Sequence, residues 1–134
     1  MKRLLPLLLL LAPAGCTPVE EPPSQPPRAE WPPLPADFRY EARGQEPGWY
    51  LLIHGDRMDF TGDYGETKIS ASHPFVRASF NGLRYETAQL TVDVTYSRCN
   101  DAMSGFGFEH RVMVTAGRRT YDGCGGKRKP EWDM

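Results

Sequence analysis

Chemically reactive side chains are scarce in this chain. Its 134 residues include only three histidines and three cysteines. His54, His73 and His110 are far apart, and none has a partner at helix or hairpin spacing that would signal a metal or a general base. They read as a solvated strand end, a loop and a strand start. Charge of one sign is also lacking: 16 Lys and Arg against 17 Asp and Glu leave a net charge of −1. No basic face is implied, so nucleic-acid binding has no electrostatic support. No apolar run reaches the roughly 20 residues that a membrane-spanning helix needs. No stretch shows a capped apolar stripe at helical spacing. Gly-x-Ser-x-Gly, phosphate-loop and dinucleotide patterns are missing, so Ser104-Gly105 is not a nucleophile elbow. These absences exclude most enzyme classes. The expectation is a non-catalytic protein with no cofactor and no metal.

The first feature present is an address. Met1-Lys2-Arg3 precedes the apolar run Leu4–Leu11, then the small residues Ala12, Ala14 and Gly15, then Cys16. A positive start, a short apolar core and a small-residue cleavage region are the parts of an export signal. Ending in Cys, residues 1–15 resemble a bacterial lipoprotein signal peptide. The resemblance implies that Cys16 is acylated with palmitate-type chains and becomes the new N-terminus. More than one acyl chain gives stable attachment, at about 0.8 kcal/mol per buried methylene. Thr17 stands where Asp would signal inner-membrane retention, so the resemblance favours an outer membrane, with the domain facing the periplasm. Losing Lys2 and Arg3 makes the remainder two charges more negative. Eight of residues 17–36 are proline. Proline removes amide donors and extends its predecessor, so 16–36 reads as an acylated Cys on a stiff polyproline tether.

Residues 37–126 read as one small domain. Leu90, Val92, Val94 and Tyr96 alternate with Thr91, Asp93 and Thr95, and the same period of two recurs at Met58/Phe60, Val76/Ala78/Phe80 and Val112/Val114. This alternation marks half-buried strands. Gly55-Asp56, Asn81-Gly82 and Gly117 supply hairpin turns between them. Strands are predicted near 38–43, 48–54, 57–61, 67–72, 75–80, 83–87, 90–98, 110–116 and 118–123. The fold class is all-β: an antiparallel meander closing into a small barrel or sandwich of about eight strands. Residues 127–134 read as a basic flexible tail.

With Cys16 assigned to lipid, Cys99 and Cys124 remain. An even pair in an exported domain reads as a disulfide. Closing a loop of that length contributes about 3–4 kcal/mol on the chain-entropy model.

The segment from Cys99 to Phe108 is too long for a tight hairpin and mixes Asn, Asp, Ser and Gly with two aromatics. Its residues Cys99, Asp101, Met103, Ser104 and Gly105 are followed by Val112, Val114, Gly117, Tyr121, Gly123, Cys124 and Gly125. Together they resemble a family of bacterial envelope lipoproteins loosely grouped with the heat-shock-type META domains. Glu46-Pro47-Gly48-Trp49 fits that pattern too, with Gln45 where the family usually has Asn. The resemblance implies a fold and a location, and no reaction. Pro47 and Gly48 deliver Trp49 into the next strand. Trp49 is then either a core residue under a tight turn or a rim residue of a binding mouth, with Glu46 exposed beside it.

The candidate binding residues are therefore Glu46, Trp49, Asp101, Ser104, Gly105, Phe106 and Phe108. Glu46, Asp101 and Asp122 are expected to gather at one end of the barrel. The primary expectation is a membrane-anchored domain that binds a small ligand, peptidoglycan or a protein partner. The alternative is a protein inhibitor. Periplasmic inhibitors of c-type lysozyme are similar small anchored barrels with a Ser-Gly-x-x-Tyr-like inhibitory loop. Ser104-Gly105-Phe106-Gly107-Phe108 is loosely similar to it, and the Trp-Lys-Gly segment that follows in those inhibitors has no counterpart here.

Overall fold

The computed structural model describes residues 34–72 and 74–134. Cys16, the leader, nearly all of the tether and His73 lie outside the described residues. Ten strands form one antiparallel sheet: β1 Arg39–Gln45, β2 Gly48–His54, β3 Arg57–Gly62, β4 Thr67–Ser72, β5 Phe75–Ser79, β6 Gly82–Glu86, β7 Leu90–Thr95, β8 Cys99–Asn100, β9 Gly107–Ala116 and β10 Arg119–Arg128. The predicted turns stand at Gly55-Asp56 and at Gly117-Arg118, but the third falls on Phe80-Asn81, one residue before the predicted Asn81-Gly82: Gly82 opens β6 opposite Ser79, where a Cβ would run into Val94 O.

The order across the sheet is β4-β3-β2-β1-β10-β9-β7-β6-β5, with β8 beside β9. All neighbours are antiparallel, so the outermost strands β4 and β5 run in the same direction. Only His73 and Pro74 separate them in sequence. Three peptide steps span at most about 11 Å, so the end of β4 lies close to the start of β5 and the sheet curls into a half-barrel, although the two edge strands do not pair. β4 and β5 act as two halves of one strand run: the first half bonds to β3 and the second to β6. Pro74 sits at the break, where a missing amide donor removes no ladder bond. Counted this way, and with the two-residue β8 set aside, the wall has the eight strands that the alternation predicts.

The inward positions fill the interior. Leu51, Ile53, Met58, Phe60, Tyr85, Val92, Val112, Val114 and Tyr121 are all buried. Leu34 and Phe38 pack on this core just ahead of β1. The outward face carries charge pairs such as Arg84–Asp93 and Arg77–Glu86. Small barrels are packed cores rather than pores, and this one follows the rule.

The residues read as a flexible tail are placed differently. β10 runs on to Arg128, and Pro130–Trp132 form a 3-10 turn. The Lys129 amide donates to Gly107 O at 2.8 Å, and the Met134 amide donates to Gly105 O at 3.1 Å. Arg128 grips Asp133 through two bonds of 2.6 and 2.7 Å. The end of the chain is held by its own backbone groups, which a composition-based reading does not see.

Candidate functional site

β7 ends at Thr95, and the chain then leaves the wall. It returns as β8, which pairs Cys99 with Phe108 and Asn100 with Gly107. A disulfide ties Cys99 to Cys124 of β10, as the paired cysteines imply. Asp101–Phe106 form the loop between β8 and β9.

Asp101 organises that loop. It is 5% exposed. Its Oδ2 accepts from the Ser104 hydroxyl at 2.6 Å and the Ser104 amide at 3.0 Å. Gln45 at the end of β1 donates to the same oxygen at 3.4 Å. Burial pushes the Asp101 carboxyl up, but the Ser104 hydroxyl and amide, Gln45 and the Met103 amide outweigh it. The carboxyl is held below its ordinary range, in the ionised form that accepts these bonds. Backbone bonds close the loop further: the Gly105 amide donates to Asp101 O at 2.8 Å and the Asp101 amide to Phe106 O at 2.9 Å.

The tail clamps the loop from outside. Asn100 Nδ2 donates to Gly105 O and to Trp132 O. The Gly107 amide donates to Asp133 Oδ1 at 2.9 Å. Gly105 has φ +70, and a Cβ there would lie 2.8 Å from Met134 O. Only glycine fits both the conformation and the approach.

The clamped loop holds apolar groups outward. Met103 is 70% exposed and Phe106 47% exposed. The Arg128 guanidinium lies 3.9 Å from the Phe106 ring centroid, a cation–π contact that fixes the ring's position. Met103 belongs to the motif that carries the resemblance but is not among the candidate binding residues. A lone large apolar side chain amid Asn, Asp, Ser and Gly was its signal.

Beneath the loop, on the outer face of β1 and β10, lies a cleft of about 320 Å³ whose lining includes Glu46, Asp101 and Asp122. The three acids expected to gather do line one cleft. Asp101 is committed to Ser104, and Asp122 lies 3.3 Å from Arg111 Nε. Tyr64 donates its hydroxyl to Gln45 O and to Glu46 Oε2, both at 3.3 Å. None of these contacts pairs two carboxylates for acid–base work.

Trp49 is a core residue and not a rim residue. It is 5% exposed, and its indole Nε1 donates to Asp122 O at 3.0 Å. The ring lies against Phe60. Phe108 is buried as well, with Arg43 over its face. Ser104 spends its hydroxyl inside the loop, donating to Asp101 and accepting from the Phe106 amide at 3.2 Å.

His54, read as a solvated strand end, lies 2.8 Å from Asp59 Oδ2. Ser70 donates to the other oxygen of Asp59. Asp59 stands between the other two, whereas nucleophile activation needs the histidine in the middle. Among the described residues, no three His, Cys, Asp or Glu side chains are grouped to hold a metal ion. The chain matches no protein-family model, no curated protein and no solved structure.

Proposed function

We propose that this chain is a lipid-anchored protein of the bacterial cell envelope whose β domain binds a protein partner, without catalysis, through the Asp101–Phe106 loop. The observation that carries the reading is the clamp on that loop. A disulfide, the Asp101 carboxylate and the C-terminal tail hold Met103 and Phe106 outward in one arrangement. Exposed apolar side chains on a pre-ordered loop avoid much of the ordering entropy that binding otherwise costs. Aromatic residues and methionine are enriched in such contacts. A packed interior argues against a ligand held inside the barrel.

The anchor rests on the leader sequence and Cys16, and the disulfide is in keeping with an oxidising compartment. Growth with labelled palmitate tests it. Label should enter the wild type and be missing from Cys16→Ser, which should then leave the membrane fraction. Label on the variant, or none on either protein, overturns the anchor.

The second reading is inhibition of a c-type lysozyme, favoured by the Ser104-Gly105-Phe106 tip of the clamped loop. Inhibition by the full chain that is lost in the Met103→Ser, Phe106→Ser double variant supports it. No inhibition at large molar excess removes that reading and leaves the wider one standing.

A further inference from the structure

A second opening lies away from the loop, in the barrel wall itself. β10 pairs with β1 only at Ala42–Gly125 and Arg43–Cys124. Beyond that point Arg39–Glu41 are paired to β2 alone. The cause is a bulge. Between the pairs Gly125–His110 and Arg128–Phe108, β10 has two residues, Gly126 and Lys127, against the single Glu109 of β9. Gly126 has φ +79, and a Cβ there would sit 2.8 Å from His110 Nδ1. The bulge carries β10 away from β1, the local re-aiming for which bulges are known beside functional sites.

The gap opens into a cavity of about 460 Å³ whose lining includes Tyr40, Arg43, Phe108, Glu109, His110 and Lys127. Its charges are unevenly satisfied. Arg39 is paired with Glu41, and Arg128 with Asp133. Glu109 accepts from the Lys127 amide and pairs with Lys129. Among the described residues, the Arg43 guanidinium and the Lys127 ammonium meet no carboxylate within ion-pair distance. The Arg43 guanidinium lies over the buried Phe108 ring, 5.8 Å from its centroid.

At the inner end, Tyr40 and His110 are hydrogen-bonded through the phenol oxygen and Nδ1, 3.2 Å apart. Burial pushes the His110 imidazolium down, and the Glu109 charge opposes that only in part. The imidazole is therefore neutral. Phenol and neutral imidazole together carry two acidic protons, and their mutual bond uses one. Whichever nitrogen is protonated, one donor remains.

We propose that this lateral cavity binds a phosphate-bearing ligand of headgroup size, held by Arg43, Lys127 and the spare donor of the Tyr40–His110 pair. Two cations with no carboxylate in direct contact suit a double negative charge, although Glu41 stands near enough to Arg43 to feel its charge. A guanidinium fork, an ammonium and a neutral donor match three or more acceptor oxygens better than the two of a carboxylate. The Phe108 and Tyr40 rings offer an apolar wall to the rest of the ligand. The phosphate has two candidate sources, a soluble phosphate ester or a phospholipid headgroup.

The test uses the full-length chain, titrated with inorganic phosphate and with glycerol 3-phosphate while amide and His110 ring NMR signals are followed. Saturable shifts are expected at 39–43, 108–110 and 126–128. The Arg43→Gln, Lys127→Gln double variant should weaken binding about tenfold or more, and Arg43→Lys should restore part of it. Shifts that grow linearly and equally in potassium chloride, or that survive the double variant, overturn the proposal. The source is read by co-sedimentation with phosphatidylglycerol and phosphatidylcholine vesicles. Both proteins keep Cys16, so a wild-type excess over the double variant on phosphatidylglycerol assigns a lipid headgroup. Equal sedimentation, with the phosphate shifts intact, assigns a soluble ester. The unchanged 101–106 loop serves as an internal control, so this result is independent of the loop's own role.

Discussion

Asp101 and Ser104 are locked to each other: one carboxylate oxygen receives both the amide and the hydroxyl of a residue three places on. The loop that presents Met103 and Phe106 is built on that pair. The disulfide and the C-terminal tail hold the same loop from outside.

Asp101→Ala should therefore destabilise the domain by about 1.5–3 kcal/mol, the range for losing hydrogen bonds to a charged group. Urea denaturation of the variant reads the loss. Hydrogen exchange at the Ser104 and Gly105 amides should rise with it. An unchanged midpoint and unchanged exchange would show that the loop is held by other means.

The same carboxylate sets a pH dependence. Its pKa is lower in the folded chain than the ordinary value of about 3.9 in the unfolded one. The unfolded state thus binds the proton more readily. Asp101 contributes stability that is complete above that ordinary value and is lost as the pH falls through it toward the folded value. Thermal melts between neutral pH and strong acid should show a steeper acid loss for wild type than for Asp101→Asn.

Cys99 and Cys124 should appear as no free thiol in non-reducing mass spectrometry of the native chain. The Cys99→Ser, Cys124→Ser double variant should lose about 3–4 kcal/mol on the chain-entropy model. Two titratable thiols in the native protein would contradict the bridge.

Removing Pro130–Met134 deletes the Met134 backbone bond to Gly105, the Asp133 bond to Gly107, and the bonds that Asn100 and Arg98 make to Trp132 O. At about 1 kcal/mol for each net hydrogen bond, the truncated chain should lose roughly 4 kcal/mol. Amides 101–107 should exchange faster while those of β2 and β3 do not. Uniform loss of protection would mean that the tail supports the whole barrel instead.

Trp49→Phe should cost about 2–3 kcal/mol, because it leaves Asp122 O without its donor and opens space beside Phe60. Chemical denaturation measures it.

Strands whose residues alternate in polarity were legible in the sequence. Met58/Phe60 and Val92/Val94 each report one buried face, and a period of two is a local property. The Cys99–Cys124 pairing was legible through elimination and compartment. Three features were not. β10 joins β1 across some eighty residues, and no local pattern encodes that register. The tail reads as unstructured because it is short, basic and flanked by Gly and Pro, yet its main-chain groups find partners on Gly105 and Gly107. Arg43 and Lys127 stand on different strands and share a cavity only because of the bulge at Gly126. Trp49 left two roles open, and burial decided between them.

β10 is the last of the described strands in chain order, and it occupies the middle of the sheet. Before it is made, β1 and β9 are raw edges on either side of its vacant place. The barrel cannot close around a partial product. A nascent chain of this design stays open until β10 is available to bridge β1 and β9.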